Sequence, residues 1–423
     1  MSTDARFLTF AELRDALAER SFDRPPAFVA NAHVTGLGVA RSLSAHGVPV
    51  VALDRTPDGV APGSTAVDLA GAVTYPLEDQ EGFGADVEAL AAETGHEPVA
   101  FGCMDEWVHG LADADPMGVR LSFAGREVVD RVLDKTELYA RCERLEVPYP
   151  ETYRLAEPGI DGDGPPVLAA AEAAERLGFP LVLKPALKRT FEEAIGTNVV
   201  EVADADEYRE VVDAAADRGI RLMAQERVDV AVGADRSVAS YRSPTGETMA
   251  MVGNAAVRHP RGYGTSCLVR PVEDPTLRER ATAVLDDAGY HGISEAEFVF
   301  DDARGEYVLL DVNTRPWKWI RLPVASGLNL PMAAYAEAVD DPAVAYEPGP
   351  RREPTWVFLA DYLAEVSAGG EDVLSRDDWL ALLSGSVHGD DGVVAGVYDP
   401  DDPEPAHQLL RTEFGQREYY CAC

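Results

Sequence analysis

The spacing of apolar and polar positions changes several times along the chain, and those changes mark out its elements. Between residues 27 and 103, short unbroken apolar runs alternate with segments of helical period. AFVAN (27–31), VPVVALD (48–54) and HEPVAFGC (96–103) read as buried strands, and TGLGVARSLSAHG (35–47) as a turn and helix ended by Gly47. Strands apolar on both faces, with helices between them, predict an α/β unit. Ahead of it, FAELRDALAER predicts one helix, expected to be an appendage within residues 1–24.

Beyond residue 126 the pattern becomes mixed. DKTELYARCERLEV (134–147) has helical spacing, and PYPETYRL (148–155) is extended because each proline disfavours helix in the residue before it. GIDGDGPP (159–166) is a turn-rich linker. Helices are expected over VLAAAEAAERLG (167–178) and EYREVVDAAADRG (207–219). Strands are expected at FPLVLKPAL (179–187) and RLMAQERVDV (221–230). DRSVASYRS and ETMAMVGNAAV then read as sheet, and RHPRGYGTS (258–266) is a basic, glycine-containing loop.

The stretch GISEAEFVFDDARGEYVLLDVNTR (292–315) predicts two antiparallel strands joined by a polar turn. Side chains two apart on a strand share a face. Asp311, Asn313 and Arg315 therefore project together, and the returning strand brings Glu297 alongside. Two carboxylates, an amide oxygen and a guanidinium suit Mg²⁺ carrying nucleotide phosphates and a transferring phosphoryl group. A solvated acidic hairpin has the same pattern. From about residue 347, EPGPRREP marks a boundary, and WVFLADYLAEV and DDWLALLSG predict a small helical C-terminal region.

Charge narrows the partners. The 423 residues carry 74 acidic and 37 basic side chains, a formal net charge of −37, spread along the whole chain. That argues against nucleic acid and anionic membranes as partners and fits a surface hydrated in high salt, the mark of a halophilic source. No apolar run reaches membrane-spanning length and the N-terminus reads as no signal peptide, so the expected location is the cytoplasm. Only four lysines occur, Lys135, Lys184, Lys188 and Lys318. The five cysteines form no zinc spacing; Cys421 and Cys423 make a C-x-C pair near the end of the sequence.

Two features of the first unit bear on chemistry. Gly36 and Gly38 follow a strand, with Asp54 after the next one, which suggests a dinucleotide turn; Arg41 stands where that fingerprint needs a small residue. Asp105 and Glu106 follow the strand VAFGC, where ligands of parallel sheets tend to lie. A helix N-terminus that favours acid accounts for them equally well.

The order of parts is that of a known family. DK at 134–135, LVLKP at 181–185, AQERV at 224–228, EAEF at 295–298 and LLDVNTR at 309–315 resemble the ATP-grasp superfamily. The trailing ASGLNLP and the earlier TGLGVARSL and LDKTELYARCERLEVPYPET resemble its carboxylate–amine ligase branch, which is similar to D-aspartate ligase. The resemblance implies a mixed α/β and α+β chain. A Rossmann-like pre-ATP-grasp domain would span 25–125, two ATP-grasp lobes 126–345 with a hinge near 225–228, and the helical region 346–423. It implies Lys135 and Lys184 on nucleotide phosphates, and an edge strand facing adenine through the backbone of Glu226 and Val228. It also implies Asp235 on ribose, and Glu297, Asp311 and Asn313 on Mg²⁺ or Mn²⁺. Arg315 would act on the γ-phosphoryl group, and Arg258, with Arg261, near the acyl site. Trp317 and Trp319 would shape the acceptor pocket or belong to the core.

The chain departs from the family at Asp311, where glutamate is usual, at Thr314, where proline is usual, and in the glycine-poor loop after Lys184, where Lys188, Arg189 and Thr190 would substitute. The implied function is ATP-dependent amide formation between a small carboxylate and an amine through an acyl-phosphate; the oligomeric state stays open, with a homodimer among the options. A nicotinamide-dependent oxidoreductase using the Gly36 turn, and an ATP-binding module without turnover, are the alternatives.

Overall fold

A computed structural model describes residues 6–155, 165–185, 199–261, 264–341, 344–390 and 392–414. The expected loop residues Lys188, Arg189 and Thr190, and the pair Cys421 and Cys423, lie outside them.

The apolar runs of the first unit form a parallel sheet because they are buried on both faces. Its strands are β1 (Phe7–Leu8), β2 (Ala27–Ala30), β3 (Val50–Asp54), β4 (Leu69–Ala72), β5 (Val99–Gly102) and β6 (Arg120–Leu121), in the order β1-β4-β3-β2-β5-β6. The N-terminal segment is not an appendage. Phe7 and Leu8 add a strand beside β4, and Leu13 and Leu17 of helix Phe10–Ala18 are fully buried. Two leucines four apart on one helix face seal the end of the sheet.

The second unit has β7 (Thr152–Leu155), β8 (Val167–Leu168), β9 (Leu181–Pro185), β10 (Val200–Val202) and β11 (Leu222–Glu226), ordered β10-β9-β11-β7-β8. Helices Ala170–Leu177 and Ala205–Ala216 contribute to its separate apolar core around Leu181, Leu183, Tyr208 and Ala224.

The third sheet has β12 (Asp235–Arg242), β13 (Thr248–His259), β14 (Thr265–Val272), β15 (Gly292–Asp301), β16 (Glu306–Asn313), β17 (Thr355–Val357) and β18 (Val393–Ala395). Its order is β16-β15-β12-β13-β14-β17-β18. The C-terminal region, expected to be helical, therefore also extends this sheet by two strands. It locks onto the first unit as well. Arg41 pairs with Asp402 at 2.8 Å with both side chains buried, and the Ser64 hydroxyl donates to the same carboxylate at 2.5 Å. The residue that breaks the dinucleotide fingerprint is thus a structural clamp.

The three units meet around the β15–β16 hairpin. Ala124 N–H donates to His291 O immediately before β15. At the outer strand β16, Leu309 N–H donates to Pro148 O, and Tyr139 from helix Lys135–Arg144 donates to Leu310 O at 3.1 Å. A strand edge that would otherwise expose unpaired backbone groups is covered.

Candidate active site

The hairpin owes its chemistry to one extra residue. From the turn, Asp301 pairs with Glu306 and the register runs on to Phe298 opposite Leu309; then it shifts, and Glu297 stands opposite Asp311 and Glu295 opposite Asn313. Continued unshifted, the register would set Asp311 against Ala296, whose face is core. The bulge moves Asp311 and Asn313 to the face of the two glutamates. Phe298, Leu309, Val312 and Ala296 fill the opposite face.

On the polar face, Asn313 Nδ2 donates to Glu295 Oε2 at 3.2 Å and to Glu297 Oε1 at 2.9 Å. Both amide hydrogens are used by these carboxylates, and Asn313 Oδ1 is buried with no hydrogen-bond partner. A buried amide oxygen left unpaired beside carboxylates is the donor set of a hard cation, and Glu297, Asp311 and Asn313 fit Mg²⁺ on that ground. Glu295 was not foreseen as a site residue, although its spacing of two from Glu297 was visible. Burial, then the Glu297 charge, pushes its carboxyl up to about 8.

Three arginine and lysine side chains converge on this face. Lys135, expected on nucleotide phosphates, instead donates to Asp311 Oδ1 at 2.6 Å and is buried there. Arg258, half-buried, donates from Nε to Asp235 Oδ2 at 2.6 Å, and its Nη2 lies 3.9 Å from Glu297 Oε2. Asp235, expected on ribose, is held by that arginine, with its Oδ1 buried and unpartnered; desolvation raises its pKa. Arg315 follows β16 and is 14% exposed; its Nε donates to Asp105 Oδ1 at 2.5 Å. Burial opposes its charge, but Asp105 and the two glutamates outweigh that and raise its pKa.

The remaining expectations divide. AQERV is no edge strand: β11 lies between β9 and β7. Glu226 N–H donates to Glu151 O, and the Glu226 carboxylate accepts from Glu151 N–H at 2.5 Å and pairs with Arg304 at 2.5 Å. The Glu226 N–H and carboxylate are thus committed within the chain, and Val228 lies in the segment joining the second and third sheets. Lys184 sits near the end of β9, opposite Met223 and half-buried. Arg261 is held by Glu365 and Gly369 O of the C-terminal region. Trp317 and Trp319 are core, 3% exposed each, their rings edge-to-face at 5.0 Å. Trp319 packs on Gly253, where a Cβ would come within 2.9 Å of the ring.

The Gly36 turn contrasts with this. A Cβ at Gly36 would lie 2.1 Å from Asn31 O, and one at Gly38 would lie 2.6 Å from Ile320. Asp54 accepts from Ala32 N–H and Arg55 N–H, both at 2.7 Å. The glycines serve close packing and the acid ties its own turn, which removes the basis for a dinucleotide site. Of Asp105 and Glu106, only the first reaches the hairpin; Glu106 accepts from Tyr75 OH at 3.4 Å within the first unit. The buried cysteines Cys103, Cys142 and Cys267 are free thiols. Desolvation raises all three, Cys142 and Cys267 to about 12, so none is a ready nucleophile.

No family model matches. The chain is similar to the D-aspartate ligase of Enterococcus faecium (strain Aus0004), 24% identical over 227 residues, which cover 48% of each protein. It thus spans about half the length of that curated relative. Among solved structures it is similar to a carboxyaminoimidazole ribonucleotide synthetase in complex with ADP, with TM-score 0.59 and 14% identity over 82% of this chain and 86% of that one. It is also similar to the L-amino acid ligase from Bacillus licheniformis, with TM-score 0.56 and 14% identity over 79% and 80% of the two chains. Among the described residues no helix is long and apolar enough to cross a membrane. The chain has the fold of the ATP-grasp enzymes.

Proposed function

We propose that the protein is an ATP-dependent carboxylate–amine ligase working through an acyl-phosphate. The observation that carries this is the hairpin face, where Glu297, Asp311 and the unpaired Asn313 Oδ1 stand beside three cationic side chains. The fold, shared with an ADP-binding synthetase and an amino acid ligase, supports it.

Mg²⁺, held by Glu297, Asp311 and Asn313, would neutralise phosphate charge as the γ-phosphoryl group leaves ADP. Lys184 would contact nucleotide phosphates, and Lys135 balances Asp311 so that the carboxylates can sit close together. Arg315 stabilises charge on the γ-phosphoryl group and on the acyl-phosphate. Arg258, between Asp235 and Glu297, receives the substrate carboxylate. That carboxylate attacks the γ-phosphorus, the β,γ-bridging bond breaks and ADP leaves. The amine then attacks the acyl carbon, phosphate departs with the C–O electrons, and the nitrogen loses a proton to solvent. The protein supplies charge and position but no nucleophile. The acid-rich surface suits work in high salt, and a cytoplasmic setting supplies ATP.

A panel of carboxylates and amines incubated with MgATP tests the reading. A matched pair should release ADP and phosphate in equal amounts with an amide product. ATP binding with no ADP release from any pair would leave a nucleotide-binding module.

A further inference from the structure

The ion pair between Arg315 and Asp105 joins two units that the sequence separates by 210 residues. We infer that Asp105 is a positioning residue for Arg315, so that the first unit completes the phosphoryl-transfer site; this rests on the ligase reading above.

Arg315 is planar, and two of its nitrogens are fixed. Nε donates to Asp105 Oδ1 at 2.5 Å and Nη1 to Pro316 O at 3.2 Å. Fixing two donors of one guanidinium fixes its plane. Nη2 takes part in neither of these bonds and is the nitrogen that would meet a ligand oxygen. Opposing this placement are the Glu295 and Glu297 carboxylates, whose charges also act on Arg315. An arginine released from Asp105 would fall onto them and compete for the groups that hold the cation. Asp105 thus orients Arg315 and keeps it off the metal carboxylates.

The support behind Asp105 is rigid. It is the first residue of helix Asp105–Ala114, at the carboxyl end of parallel strand β5, where acid is favoured by the helix dipole. Trp107 and Val108 of that helix are 1% exposed. The first unit is in turn docked to the base of the hairpin. Ala124 N–H donates to His291 O, and Gly292 packs against Phe123 with no room for a Cβ, which would lie 2.8 Å from the phenylalanine. Tyr290 OH donates to Ile293 O at 2.8 Å and Thr314 O at 3.1 Å, tying the start of β15 to the residue before Arg315. The distance between Asp105 and Arg315 is therefore set by packing on both sides.

The test is a double-mutant cycle on Asp105 and Arg315, read by kcat for ADP release and by the Mg²⁺ concentration for half-maximal ATP binding. Asp105→Ala should lower kcat about 100-fold, the scale of a misplaced catalytic group, and raise the Mg²⁺ requirement. Asp105→Asn, which keeps an acceptor for Nε, should recover most of the lost kcat. In the Arg315→Ala background, Asp105→Ala should cause little further loss, because the two act as a unit. Independent, multiplying effects on kcat would overturn the inference, as would an unchanged kcat in a folded Asp105→Ala. Should the wild type bind MgATP but release no ADP, the ligase reading fails. The inference is then judged by the same cycle on the Mg²⁺ requirement, where additive effects overturn it.

Discussion

Two places in this molecule look alike in sequence and differ in structure. The Gly36 turn and the β15–β16 hairpin each set acidic side chains at a strand end in a very acidic chain. At the turn the glycine and the acid are both used from within: Asn31 O fills the space beside Gly36, and Asp54 accepts two backbone N–H groups. On and beside the hairpin, Asn313 Oδ1 and Asp235 Oδ1 are buried without partners, and burial, then the Glu297 charge, pushes Glu295 up to about 8. Glycine and acid at a strand end mark function only where burial leaves polar groups incomplete.

The largest expected effect separates the two regions by activity. Arg315→Ala should lower kcat about 10²- to 10³-fold, the cost of losing one preorganised donor to developing charge. ATP affinity should stay near wild type, as read by titration beside steady-state ADP release. Lys184→Ala should act the other way, weakening ATP binding by about 1.5–3 kcal/mol, the worth of a charge-assisted contact. Fluorescence titration in high salt checks it, with an unchanged melting temperature showing that the fold is intact.

At the turn, the effect should be on stability alone. Alanine is the better helix former by about 1 kcal/mol, yet Gly36→Ala meets Asn31 O and should cost about 1–3 kcal/mol net through overpacking. Denaturant melts measure it. Nucleotide binding by this variant should match wild type, and a loss of NADH or ATP binding there would restore the turn as a ligand site.

Much of this division was legible in the sequence, and the exceptions have physical causes. The apolar period showed the parallel sheet, and i, i+2 spacing brought Asp311 and Asn313 to one face. The bulge was not legible, since no residue in YVLLDV announces it; it follows from burying Leu309 and Val312 together while keeping Asp311 beside Glu297. The N-terminal helix was misplaced because amphipathic spacing does not name the surface it packs on. AQERV was expected at an edge from the family resemblance alone, and its pairing with both β7 and β9 is tertiary, which no spacing within the segment announces. The partners of Lys135, Arg258 and Arg315 come from distant segments and were set by tertiary packing.

The central claim is that the hairpin holds the cation of a nucleotide, and Asp311→Asn tests it most directly by keeping size while removing one charge. ATP binding measured across Mg²⁺ concentrations should show the half-saturating Mg²⁺ at least about tenfold higher in the variant than in the wild type, because ligand charge sets divalent affinity. If the two proteins bind ATP with the same Mg²⁺ dependence, the face of Glu297, Asp311 and Asn313 is an acidic surface and not a metal site.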